Sequence, residues 1–125
     1  MALTLALAGW SVADFYYFFP HLVPYTNEFV SDKKMAYRIM ADSNLDYNQA
    51  AGVRDKYLAD HPDIKYAPLS PASGRFLIST TDLLDLNNLG QYHWLRTNFE
   101  PEDHLAFTYL IFHISEEDLK KYHLR

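Results

Sequence analysis

Cysteine is absent from this chain of 125 residues. No disulfide framework, thiolate nucleophile or cysteine metal site can therefore exist, and a reducing, cytoplasmic location is expected. No Lys or Arg occurs before Lys33, so the apolar start MALTLALA lacks the basic segment of a secretory leader. That run is also too short to cross a bilayer, and no membrane contact is expected. Glycine is scarce, with four residues, and the segment Ser70 to Gly74 has neither the glycine pattern nor the Lys of a phosphate-binding loop. No HExxH or HxH signature occurs among the six histidines, so neither a metal nor a cofactor is expected.

Positive charge is also short where negative charge is dense. Residues 80 to 118 hold eight acids (Asp82, Asp85, Glu100, Glu102, Asp103, Glu116, Glu117 and Asp118) against one base, Arg96. Phosphate binding needs clustered Lys and Arg, so this acidic half argues against nucleic acid as a direct ligand. The same field suits a protein partner with a basic surface.

What the chain has in quantity is apolar and aromatic surface. Hydrophobic residues make up 49% and charged residues 22%, a globular balance with enough length for one domain over 1–125. Ten Tyr, eight Phe and two Trp provide the rigid contact area that binding surfaces favour, or an aromatic-rich core.

The most informative stretch runs from Leu105 to Arg125. Alternate residues from Leu105 to Ile114 are apolar on both faces, which predicts a strand in the middle of a sheet, covered on each side. Ser115 then follows as an N-cap, with Asp118 at N3 and Ile114 and Leu119 as a hydrophobic staple. Glu116, Glu117 and Asp118 sit at the positive end of that helix dipole, and Lys120, Lys121, His123 and Arg125 at its negative end.

The same apolar-Ser-x-x-Asp-apolar signature recurs at Trp10-Ser11 and at Ile78-Ser79, each after a strand-like run. It predicts a first strand over Leu3 to Ala8 ended by Gly9, then an aromatic helix from Val12 that stops at Pro20. A helix capped by Ser31 is expected to run to about Asp42, and another from Asn44 and Asp46 to about Asp60. Ile64 to Tyr66 and Arg75 to Ile78 read as strands around the proline-bearing loop of residues 67–74. A helix from Thr80 to about Leu89 with Gly90 as its C′ residue follows, then a strand over Gln91 to Thr97. Residues 99–104 are expected to turn that strand into the central one as a hairpin. The sum is an α+β domain: a mixed sheet of about five strands with four or five helices packed on it.

Two short motifs resemble functional ones. His61-Pro62-Asp63 resembles the tripeptide of J-domain co-chaperones, with Asp46-Tyr47 and Gly52-Val53 similar to the start of such domains. The residues between are too few for the two antiparallel helices of that fold, so a helix end is expected instead. Ser79-Thr80-Thr81 resembles the Ser-Thr-Ser strand of ADP-ribosyltransferase folds. The first strand has no Arg and the central strand no Glu, which leaves a helix cap.

With no catalytic signature, the expected function is non-enzymatic. The chain reads as a small inhibitor or immunity-type protein, bacterial or phage, that blocks a basic enzyme such as a nuclease. Its partner-facing residues would be Tyr92, Trp94 and Arg96 as anchors, with Glu100, Glu102 and Asp103 as the acidic face. The alternative is a small enzyme using His93, Asp103 and His104 around the 93–104 hairpin. A homo-oligomer with the Phe15 to Phe19 helix in its interface is a third reading.

Overall fold

A computed structural model describes residues 1–22, 30–39, 48–86 and 90–124. Its centre is a mixed four-stranded sheet in the order β1-β2-β4-β3, formed by β1 (Ile64–Tyr66), β2 (Gly74–Ser79), β3 (Asp103–Leu105) and β4 (Tyr109–Ile114). β1 lies parallel to β2, and the other pairs are antiparallel, with Phe76 opposite Phe112 and His104 opposite Leu110. Six α-helices are present among the described residues: α1 (Ala2–Phe18), α2 (Ala36–Ile39), α3 (Ala51–Asp60), α4 (Thr80–Leu83), α5 (His93–Asn98) and α6 (Glu116–Lys121). The fold is α+β, with four strands and six helices in place of the expected five strands and four or five helices.

β4 is interior to the sheet and apolar on both faces, as its alternation predicts. Leu110, Phe112 and Ile114 join Phe76 and Ile78 in one core, closed by Tyr37 of α2, Leu83 of α4, Leu95 of α5 and Leu119 of α6. Tyr109 and Ile111 join Ile64 and Leu77 in a second core, closed by Ala50, Tyr57 and Leu58 of the α3 region. The sheet is thus a middle layer, and β2 and β4 lose water from both sides.

The Ser-x-x-Asp signature caps a helix at two of its three sites. The Ser79 hydroxyl accepts from the Asp82 N–H at 3.0 Å. At Ser115 the box is reciprocal: its hydroxyl accepts from the Asp118 N–H at 3.1 Å, and its own N–H donates to Asp118 Oδ2 at 3.0 Å. In both cases the capping residue is extended because it leaves a paired strand.

Ser11 has no such strand before it. Residues 3–8 are helical, α1 continues through Gly9 to Phe18, and the Ser11 hydroxyl donates to the Leu7 carbonyl at 3.1 Å. The expected first strand is corrected to helix. Ala and Leu are among the strongest helix formers, and a period-2 pattern specifies a strand only where a neighbouring strand pairs with it.

Two other expectations are corrected. Residues 93–98 form helix α5, because Tyr92, Leu95 and Phe99 recur at helical spacing and all three are buried. The run from Leu105 to Ile114 is two strands, broken by a turn over residues 106–108. The Thr108 N–H donates to the Leu105 carbonyl at 3.2 Å, and the two residues between, Ala106 and Phe107, both have positive φ (53° and 57°). Left-handed conformation costs roughly 1–2 kcal/mol per non-glycine residue. Packing offsets it: the Phe107 ring lies 4.7 Å from Phe18 and 4.6 Å from His104 between centroids. The hairpin is therefore β3–β4, not the expected pairing of residues 91–97 with β4.

The loop after β1 and the close of α3 agree with the expectations, while several helix boundaries move. Residues 67–73 form a loop, and His61-Pro62-Asp63 closes α3: the His61 ring stacks on Tyr57 at 4.1 Å, while Asp63 pairs with Arg75 at 3.6 Å. The helix ahead of residue 40 starts at Asp32 rather than Ser31, with the Asp32 side chain accepting from the Lys34 N–H and a 3₁₀ turn leading into α2. The expected extension to Asp42 and the starts at Asn44 and Asp46 lie outside the described residues, but residues 48–50 are bend and turn rather than helix, so the helix that ends at Asp60 begins only at Ala51. α4 ends at Leu83, short of the expected Leu89, and Gly90 does take positive φ (67°).

Candidate functional site

The residues expected to face a partner lie between 92 and 103, on α5 and the turn that leads into edge strand β3. The structure sorts them into two groups by burial.

Tyr92 and Arg96 face inward. Tyr92 is 6% exposed, and its hydroxyl donates to the Ala67 carbonyl at 3.3 Å. Burial raises its pKa, with smaller upward effects from Asp82 and Tyr66. Arg96 Nη1 donates to the Leu84 carbonyl at 2.8 Å and the Leu83 carbonyl at 3.4 Å. The guanidinium thus satisfies carbonyls that the end of α4 leaves without helical partners, at the negative end of that helix. It makes no ion pair among the described residues. Trp94 is half-buried, with its ring edge-on to Phe99 at 6.0 Å and its indole N–H buried without a partner.

Glu100, Glu102 and Asp103 face outward. Their backbone is fixed from below. Phe99 is buried, donates its N–H to the Leu95 carbonyl at 3.0 Å and packs edge-on against Tyr122 at 5.3 Å. Pro101 is buried beside it, and the Glu102 N–H donates to the Ile111 carbonyl at 2.7 Å. The alternation of buried Phe99 and Pro101 with exposed Glu100 and Glu102 pushes the carboxylates into solvent.

Glu100 pairs with Arg38 at 3.3 Å, between two exposed side chains. Such a pair contributes about 0–1 kcal/mol. Glu102 and Asp103 make no ion pair among the described residues; Asp103 Oδ1 accepts from the His104 N–H at 2.7 Å. Arg38 was not anticipated as the counter-ion, because it lies far away in sequence with no motif linking it to residue 100.

The histidines of the enzymatic alternative differ in setting. His93 is exposed on α5, with Nε2 3.4 Å from the Thr97 hydroxyl. His104 is half-buried on β3, its ring tilted against Phe107, with Nδ1 buried and unpartnered. Burial lowers the His104 pKa; Asp103 and Asp32 oppose this, and Lys34 adds to it. Among the described residues no three His, Asp or Glu side chains assemble into a group that could hold a metal ion.

A second surface was anticipated only in part: the aromatic helix of the homo-oligomer reading extends back to Ala2, where a strand was expected. α1 buries Phe18 alone, and its other large apolar residues are open to solvent, from Leu3 at 74% to Tyr16 at 73% exposure. The Ala and Leu residues from Ala2 to Ala8, interrupted only by Thr4, were the signal. No helix among the described residues is long and apolar enough to cross a membrane.

Fold and site together define an α+β protein with a rigid acidic turn and an uncovered apolar helix. No family model, curated protein or solved structure matches the chain.

Proposed function

We propose that this chain is a non-enzymatic protein-interaction module of the inhibitor or immunity type, which meets a basic enzyme such as a nuclease through Glu100, Glu102 and Asp103. The observation that supports it is the turn itself. Three carboxylates within four residues project from a backbone pinned by Phe99, Pro101 and the Glu102–Ile111 hydrogen bond. Charge held on a rigid support meets a partner without an ordering cost, and like charges side by side raise the local field that steers association. Tyr92 and Arg96 serve as the scaffold that fixes α5 behind the turn, and the exposed part of Trp94 lies at its margin.

The test is association kinetics with the protein that affinity purification recovers from the native host. Replacing Glu100, Glu102 and Asp103 together by Lys is expected to slow association about tenfold or more at low ionic strength, and added salt to slow the wild type. Stability should change little, because the turn's fixing contacts are backbone and apolar and the Arg38 pair is exposed. An association rate indifferent to both salt and the triple replacement would remove the acidic turn from the interface.

A further inference from the structure

α1 enters the interior at Phe18, its one buried side chain, and that ring is received by a chain of rings that ends in a titratable one. Phe18 lies 4.7 Å from Phe107, and Phe107 lies 4.6 Å from His104, between centroids. Tyr17 reaches Phe107 at 5.6 Å, and Lys33 Nζ lies over the Phe18 ring at 5.4 Å. Phe107 occupies the turn in which it and Ala106 both have positive φ. Left-handed backbone at two successive non-glycine residues persists only while its surroundings hold it. The Phe18 and His104 rings are two of those holds.

His104 is half-buried on edge strand β3, opposite Leu110 of β4 and beside the 3₁₀ turn of residues 33–35. Its Nδ1 is buried with no hydrogen-bond partner among the described residues. A neutral imidazole tolerates this, since only one group of an uncharged ring goes unmet. An imidazolium carries a proton on both nitrogens, so it would bury a cationic N–H with no acceptor, at greater cost. The charges that face the ring come from β3 itself (Asp103) and from the start of the 3₁₀ turn (Asp32 and Lys34). β4 places Leu110 opposite it and the turn places Phe107 on it, neither of them charged. The two acids favour the cation and Lys34 opposes it, but burial is the largest effect and lowers the pKa.

We propose that His104 is an acid-sensitive latch on α1: a second ring proton drives the imidazole off Phe107, the Ala106–Phe107 turn relaxes, and Phe18 and the helix behind it are released. An expelled His104 takes its proton at the ordinary value of about 6.5, and the docked ring only at lower pH. Docking is therefore at full strength above about pH 6.5. It weakens by up to about tenfold for each pH unit from there down to the docked value, and then levels off. α1 buries one side chain, so its docking is a small free energy that a shift of this size can overturn. None of this requires the acidic turn to meet a partner.

Spin-label distances on the full chain test the latch, and the absence of natural cysteine leaves introduced pairs as the only labelling sites. Leu3→Cys with Glu117→Cys, both exposed positions, reports α1 against α6; Lys65→Cys with Glu117→Cys reports the sheet and α6 without α1. Both distance distributions are expected to be narrow at about pH 8. At about pH 5 the first should broaden, with a midpoint below about 6.5, while the second stays narrow. His104→Phe keeps a ring beside Phe107 with no proton to take, and should hold the first pair narrow at the lower pH. His93→Gln, at an exposed position of α5, should respond as the wild type does. A first pair that stays narrow on acidification overturns the latch, as does one that broadens equally in His104→Phe. A second pair that broadens with the first also overturns it, because the whole domain is then unfolding. If His104→Phe does not fold, the wild-type ring titration followed by NMR decides instead: a His104 that titrates at or above about 6.5 overturns the latch, and one that titrates below it together with release of α1 upholds it.

Discussion

Ser115 ends β4 and starts α6 with one side chain. Its hydroxyl accepts the Asp118 N–H and also donates to Asp118 Oδ2 at 2.7 Å, while its own N–H donates to the same oxygen. Asp118 is held below the ordinary carboxylate range, first by the Ser115 hydroxyl and then by the Ser115 N–H. The sign follows from that direction. A carboxylate whose folded pKa is depressed stabilises the fold above its unfolded value, about 4, and loses the contribution as pH falls through the folded value. Ser115→Ala is expected to cost about 1 kcal/mol at neutral pH through loss of the cap. Urea titrations at several pH values should show the wild-type advantage shrinking below about pH 4; a difference that is flat with pH would contradict the hydroxyl–carboxylate link.

Short elements dominate this fold, and most cannot persist alone. α4 spans four residues and α5 six, well below the length at which an isolated helix holds in water. Each is fixed by its neighbour: Leu83 and Leu95 share one core, and Arg96 ties the end of α4 to α5. Arg96→Ala should leave the Leu83 and Leu84 carbonyls to water and lower stability by about 1–2 kcal/mol. Arg96→Lys is expected to recover only part of it: one nitrogen, Nη1, serves both carbonyls, but an ammonium is more strongly hydrated than a guanidinium and sits on a different stem. Denaturant midpoints of the two variants check this, and equal midpoints for Ala and wild type would show that the α4–α5 junction is held by packing alone. The same junction carries the acidic turn, so loosening it is expected to blunt the association rate as well.

At the scale of the whole molecule, stability lies in the sheet and its two cores, not in α1. Phe112 is fully buried, and Phe112→Ala should cost about 3–5 kcal/mol. Removing residues 1–16 keeps Phe18, the one residue through which α1 enters the buried interior. The truncated chain is therefore expected to unfold cooperatively, with a midpoint within roughly 1 kcal/mol of the full chain when both are dilute. Loss of the strand signal on truncation would show that α1 is integral to the sheet's packing. The molecule divides its roles accordingly: the cores fold it, the turn at residues 100–103 offers charge, and α1 offers apolar surface.

Local chemistry was enough to read several parts of this chain. The caps at Ser79 and Ser115, the two-faced apolar strand β4, the loop of residues 67–73 and the close of α3 at His61-Pro62-Asp63 each depend on neighbours within a few residues. The acidity of residues 100–103 was equally plain, and its exposure follows from alternation with Phe99 and Pro101. Tertiary structure decided the rest. Leu3, Leu5 and Leu7 alternate as a strand would, but a strand needs a partner, and without one the helical preference of Ala and Leu prevails. Tyr92 and Arg96 resembled surface anchors by residue type, and only the positions of Ala67, Leu83 and Leu84 turned them inward. The turn at Ala106-Phe107 has no glycine or asparagine to announce it; its strained backbone is held because Phe107 packs on Phe18, a residue remote in sequence that only folding brings beside it.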